Sequence, residues 1–136
     1  MKRLVLDAGP LIALVSQNDQ YHQEALQGFQ QLPELFGEVI TPLPILFEVY
    51  KFVSRHESNQ QAQFLLKVIQ SETVVETISH DDFLDIASLV TQSPNWSGTM
   101  EDASVLVIAQ RLQSPVWTID YKDLSFFKNI NFWTPN

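Results

Sequence analysis

Residues 2–14, with the sequence KRLVLDAGPLIAL, decide the fold. Residues 4–6 form a continuous apolar run, which is typical of a short strand buried on both faces. Pro10 suits the first turn of a helix, because the N–H that it lacks would have no partner there. The stretch therefore predicts a strand, a tight turn and a helix, with Asp7 at the carboxyl end of the strand. Ligands of parallel sheets bind just outside such strand ends, so Asp7 is a candidate functional residue. The alternative is that Asp7 only caps the helix.

Composition limits the class of protein. With 136 residues, of which 45% are hydrophobic, the chain is long enough to form one globular domain over residues 1–136. It has no apolar run of about 18 residues or more, which predicts no membrane partner, and no cysteine, which favours a cytoplasmic location. The net charge of −8 disfavours non-specific binding to nucleic acid. It leaves open either an acidic surface or carboxylates gathered around divalent cations.

A second apolar run ending in an acid lies near the C-terminus, where residues 116–119 precede Asp120. Further short β-branched or apolar runs occur at residues 39–41, 73–78 and 130–133, and amphipathic segments separate most of the runs. Asp19 is expected to cap a helix that runs through Leu32, and Pro33 is expected to end it. Alternating strands and helices predict an α/β fold with a parallel sheet of about five strands.

Two more acids lie in predicted helices. Glu48 has apolar neighbours on nearly all sides, and a glutamate in such a helix is costly unless it is paired or coordinated. A surface salt bridge to Lys51, one turn further on, is the alternative. Asp102 lies in the first turn of the helix that Thr99 is expected to cap, on the face that packs inward, whereas Glu101 points towards the flank.

These acids are expected to meet at one edge of the sheet. Asp7 and Asp120 follow strand ends, and Glu48 and Asp102 lie on neighbouring helices. Carboxylates that lie so close together cannot all stay ionised without a compensating cation. Oxygen ligands favour Mg²⁺ or Mn²⁺, and such ions assist the attack of water on a phosphodiester.

The chain resembles the PIN-domain family in the order and spacing of four motifs. They are LVLD ending at Asp7, FEV around Glu48, EDAS containing Asp102, and TID ending at Asp120. The resemblance implies a three-layer fold, in which helices flank a five-stranded parallel sheet, and a metal-dependent ribonuclease of the VapC type. It also implies that these four carboxylates are the catalytic residues and the Mg²⁺ or Mn²⁺ ligands, and that a small antitoxin protein is a partner.

Other residues are assigned secondary roles. Glu101, directly before Asp102, departs from the family pattern, and Asp120 occupies the most variable of its four positions. The possible auxiliary residues are Asp123, Thr118 and Thr99. The candidates for contact with the RNA substrate are Lys51, Arg55 and Lys122. A homodimer is also predicted, because the chain has nine Phe, three Trp and three Tyr residues and an apolar face on the helix at residues 60–69.

Two other functions are alternatives to the nuclease. A phosphatase of the haloacid-dehalogenase type needs a second acid two residues after the first, where this chain has Gly9. A catalytically inactive PIN-like module that binds a partner is the remaining alternative. The four intact carboxylates favour the nuclease over this module.

Overall fold

Four parallel strands form the central sheet. The computed structural model describes residues 2–136. The strands are Arg3–Leu6 (β1), Glu38–Pro42 (β2), Val74–Glu76 (β3) and Val116–Trp117 (β4), and they lie in the order β3-β2-β1-β4. The α/β fold with a parallel sheet is therefore confirmed.

Seven helices connect or flank these strands. They are Ala8–Val15 (α1), His22–Leu35 (α2), Leu43–His56 (α3), Asn59–Glu72 (α4), His80–Thr91 (α5), Met100–Leu112 (α6) and Tyr121–Leu124 (α7). The expectation that Pro33 ends the second helix is wrong, because α2 continues two residues beyond it. In residues 2–136 no helix is long and apolar enough to cross a membrane.

Strand β1 lies inside the sheet, as its apolar run predicts. Leu4, Val5 and Leu6 have no solvent exposure. Val5 is in register with Ile40 of β2 on one side and with Val116 of β4 on the other. A strand with neighbours at both edges and helices on its faces needs apolar side chains throughout, which explains the absence of alternation in the sequence.

The expected fifth strand at residues 130–133 is reduced to one bridge between Phe132 and Val116. The Val116 N–H donates to the Asn131 carbonyl, and the Trp133 N–H donates to the Val116 carbonyl, both over 2.9 Å. Strand β4 is only two residues long and offers little backbone for pairing. Pro135 then follows, and its missing N–H prevents the ladder from continuing.

Helix α6 carries Asp102 to the sheet. Residues 103–109 are all buried, and the helix contacts β1, β2, α3 and α5. This packing explains why the helix is apolar nearly all round after its first turn. It also brings the N-terminal turn of α6 close to Asp7 and Glu48.

Candidate active site

Asp7 directly follows the innermost strand and is only 7% exposed. Its backbone N–H donates to the Trp117 carbonyl (3.0 Å), which ties the end of β1 to β4. The Thr118 hydroxyl lies 2.7 Å from Oδ2 of Asp7 and 3.2 Å from the Asp120 carbonyl. This hydroxyl has a single proton, so the shorter contact identifies Asp7 as its main acceptor. The alternative that Asp7 only caps α1 requires its carboxylate to accept the N–H of the second or third residue of that helix. The structure shows no such capping hydrogen bond.

The surroundings of Asp7 oppose its ionisation. Burial, which is the largest cause, and the nearby charges of Asp102 and Asp120 together raise the pKa of Asp7 from its usual 3.8 to about 6, against hydrogen bonds from Thr118 and the Ala8 N–H. The structure therefore brings Asp102 and Asp120 within electrostatic reach of Asp7.

Glu48 joins the same cluster from α3. Burial, and after it the charges of Asp7, Glu101 and Asp102, raise the pKa of Glu48 to about 7. The salt bridges in residues 2–136 do not include Glu48, so the predicted alternative of a Glu48–Lys51 pair is wrong. Glu101 acts on this cluster although its position on the helix indicated the flank. No signal in the sequence separated it from an ordinary helix-flank acid.

Asp102 has a second role as part of a helix cap. The Thr99 N–H donates to Oδ2 of Asp102 (3.0 Å), and the Asp102 N–H donates to the Thr99 hydroxyl (3.1 Å). This reciprocal arrangement is a capping box, and it confirms Thr99 as the N-cap of α6. One Asp102 oxygen is held by the cap, and the half-buried carboxylate still acts on Asp7 and Glu48.

Asp120 and Asp123 lie on the short turn after β4. Asp120 is exposed and caps α7 by accepting the Lys122 N–H (3.1 Å). Asp123 accepts the Ser97 hydroxyl (2.9 Å), and it is not among the charges that raise the pKa of Asp7 or Glu48. The geometry therefore associates Asp120 more closely than Asp123 with the carboxylate cluster.

The three candidate RNA-contacting residues Lys51, Arg55 and Lys122 are all exposed. None of them takes part in an ion pair within residues 2–136. Two lie on α3 with Glu48, and the third follows Asp120 by two residues. Their charges are thus available to an anion that approaches the cluster.

The donor set fits a hard divalent cation. In the part of the chain that the structure describes, no three acidic or histidine side chains form a preformed metal cage. Mg²⁺ does not need one, because it keeps several waters and binds proteins through one or two carboxylates. All four candidate donors are carboxylates, and they carry mutual repulsion that a bound cation would relieve.

Comparison with known proteins identifies the fold. The sequence matches no protein-family model and no curated protein. Among solved structures, the VapC20 toxin of Mycobacterium tuberculosis, described as cleaving the sarcin-ricin loop, matches with a TM-score of 0.80 at 14% identity over 90% of this chain and 94% of that one. VapBC2 of Rickettsia felis, bound to a promoter DNA fragment, matches with a TM-score of 0.76 at 14% identity over 96% and 97%. A toxin–antitoxin complex from Klebsiella pneumoniae matches with a TM-score of 0.65 at 22% identity over 98% of both chains. The chain therefore has the PIN-domain fold of the VapC-type toxins.

Proposed function

We propose that the protein is a metal-dependent endoribonuclease. The observation that carries this proposal is the cluster of Asp7, Glu48 and Asp102, whose charges act on one another at the carboxyl edge of the sheet without a paired cation in residues 2–136. These three side chains would hold Mg²⁺ or Mn²⁺, one or two of them directly and the remainder through water, and Asp120 would serve as an outer ligand or as a ligand to a second ion. The alternative of an inactive partner-binding module gives no role to this costly arrangement.

The chain's own residues prepare the cluster for a cation and an RNA phosphate. Thr118 orients Asp7, and the capping box orients Asp102. Glu48, with its pKa of about 7, is partly protonated at neutral pH, and binding of a metal would release that proton. When bound, the metal supplies positive charge that favours the attack of water on a phosphodiester.

The proposed substrate is single-stranded or structured RNA. The exposed cations Lys51, Arg55 and Lys122 would contact its phosphates. The VapC20 toxin, which shares the fold, cleaves the sarcin-ricin loop, and this supports structured RNA as one substrate class. An RNA substrate together with the absence of cysteine supports a cytoplasmic site of action.

We also propose that a small antitoxin protein controls the enzyme. A protein of the same fold, from Klebsiella pneumoniae, was solved as a toxin–antitoxin complex, which supports this proposal. A reading frame for a small protein beside this gene, whose product co-purifies with the chain and stops cleavage, is the expected result. An isolated gene whose product is active without restraint would contradict the toxin role.

The homodimer remains a proposal. On α4, Leu65 and Ile69 pack inside the molecule, whereas Phe64 is 56% exposed, so part of the apolar face of this helix is uncovered, as the sequence predicted. Phe47 on α3 (65% exposed) and Leu84 on α5 (50%) add large apolar side chains at the surface. Sedimentation at micromolar concentration should give twice the mass of the chain, and a monomer would contradict the proposal.

Cleavage of RNA by the purified protein tests the nuclease directly. A labelled RNA oligonucleotide should be cut in MnCl₂ or MgCl₂ and remain intact in EDTA. Asp102→Asn should abolish cleavage, because it removes one of the proposed ligand charges but keeps an oxygen for the cap. Asp81→Asn, which removes an exposed acid from the first turn of α5, is the matched control and should cut normally. Undiminished cleavage by Asp102→Asn, or cleavage that EDTA does not affect, would contradict the proposed site.

A further inference from the structure

We propose that Trp96 is a positioning residue that sets the Asp120 carboxylate relative to Asp102; this inference rests on the proposed function. Trp96 lies in the loop between α5 and α6 and is only 9% exposed. Its indole Nε1–H donates to the Asp123 carbonyl over 2.8 Å. Its ring packs edge-on against Phe127, with 5.3 Å between ring centroids. The loop before α6 is thereby joined to the turn after β4.

The neighbouring residue makes a second bond to the same place. The Ser97 hydroxyl donates to Oδ1 of Asp123 over 2.9 Å. Two adjacent loop residues therefore hold one residue of α7 through both its backbone and its side chain. Asp120 is the N-cap of this four-residue helix, so restraining α7 also restrains the Asp120 carboxylate.

On its other side the loop leads directly into the cap that contains Asp102. Only Ser97 and Gly98 separate Trp96 from Thr99, the N-cap of α6. A Cβ at Gly98 would overlap the Trp96 ring, so the ring lies against the chain at this point. A short, tightly packed connection thus runs from the Asp102 cap to the Asp120 turn.

The other hydrogen bonds of this turn are local or long. The Lys122 N–H donates to Oδ1 of Asp120 over 3.1 Å, and the Ser125 N–H donates to the Tyr121 carbonyl over 2.8 Å. At the strand side, the Asp120 carbonyl has a 3.2 Å contact with the Thr118 hydroxyl, whose proton is directed mainly to Asp7. The Trp96 and Ser97 bonds are both shorter than this contact. Loss of the indole N–H should therefore let α7, and Asp120 with it, shift relative to the Asp102 cap.

Calorimetric titration of the full-length protein with MnCl₂ tests the inference. Trp96→Phe keeps an aromatic ring but loses the N–H, and it should weaken Mn²⁺ binding roughly 10-fold, the size of effect typical for residues that orient metal ligands. Trp133→Phe, which changes a ring packed on Trp117 away from this loop, should bind as wild type. Ser97→Ala should weaken binding about threefold, and Ser97→Thr, which keeps the hydroxyl, should restore it.

A double-mutant cycle with Asp120→Asn separates positioning from a general structural role. If Trp96 acts through Asp120, Trp96→Phe causes no further loss of Mn²⁺ affinity in the Asp120→Asn background. An equal loss in both backgrounds, or wild-type affinity for both Trp96→Phe and Ser97→Ala, would overturn the inference alone. Wild-type protein that binds no Mn²⁺ would overturn the proposed function and this inference with it. Ser97 is exposed, so its variants provide the answer if Trp96→Phe does not fold.

Discussion

Replacement of Asp7 by asparagine should stabilise the metal-free protein at pH 8. The asparagine keeps the size of the side chain and an oxygen that accepts the Thr118 proton, but it carries no charge. In the wild type at this pH, Asp7 is ionised although it is only 7% exposed. The variant removes the cost of burying that charge near the Asp102 and Asp120 carboxylates.

The size of the effect follows from the pKa of Asp7, which is raised from 3.8 to about 6, mainly by burial. At about 1.4 kcal/mol per pKa unit, the ionised folded state is penalised by about 3 kcal/mol. The pKa of about 6 already includes the hydrogen bonds from Thr118 and the Ala8 N–H, so a neutral side chain should gain about 3 kcal/mol. For a chain of this length, this gain raises the melting temperature by about 9–12 °C.

The dependence on pH has a definite sign. Above pH 3.8 the unfolded chain loses the Asp7 proton, whereas the folded protein keeps it up to about pH 6. The folded state therefore binds more protons, and the free energy of unfolding falls as the pH rises through this window. The advantage of Asp7→Asn should be absent at pH 4, grow between pH 4 and 6, and be complete at pH 8.

Melting curves in EDTA and in excess MnCl₂ at each pH provide the assay. Metal should raise the melting temperature of the wild type more than that of Asp7→Asn, because the variant loses a proposed ligand. Asp19→Asn, which changes a carboxylate that accepts the Tyr21 N–H in an exposed turn, is the control and should gain nothing. A metal-free Asp7→Asn protein that melts below the wild type at pH 8 would refute the reasoning about a buried, repelled carboxylate.

Three further changes have outcomes that the structure predicts. Arg111→Met should lower the free energy of unfolding in urea by about 2–3 kcal/mol, because it leaves Asp82, which is 3% exposed, without its 2.9 Å ion pair; a loss below 0.5 kcal/mol would contradict this. Gly28→Ala should cost about 1–3 kcal/mol in the same assay, because a methyl group there would overlap the Trp117 ring, and unchanged stability would show that the ring can yield. Lys51→Gln should weaken RNA binding and reduce the slope of log affinity against log salt by about 1, as expected if this exposed cation contacts a phosphate; an unchanged slope would remove Lys51 from the interface.

The elements that could be predicted from the sequence depend on neighbouring residues. The apolar run at residues 4–6, the acid after it and Pro10 together specified β1, the turn and α1. Thr99 was recognisable as the N-cap of α6, because it directly precedes the first turn of that helix in the sequence. Interactions of this kind are present in any short stretch of chain, so sequence alone located most of the helices and strands, whereas the end of α2 and the fifth strand were predicted wrongly.

Only the tertiary structure decided the properties of the candidate site. The bond between Thr118 and Asp7 joins residues 111 positions apart, and the Trp96 indole reaches Asp123 across 27 positions. The raised pKa values of Asp7 and Glu48 depend first on burial, which is a property of the packed molecule and not of any short segment. The predicted fifth strand also depended on tertiary structure. Residues 130–133 could pair only with a β4 longer than the two residues that the fold provides, so they form a single bridge. Sequence thus determined which acids occupy the strand and helix ends, because that information is local. Packing determined how strongly those acids interact, because distance and desolvation exist only once the chain has folded.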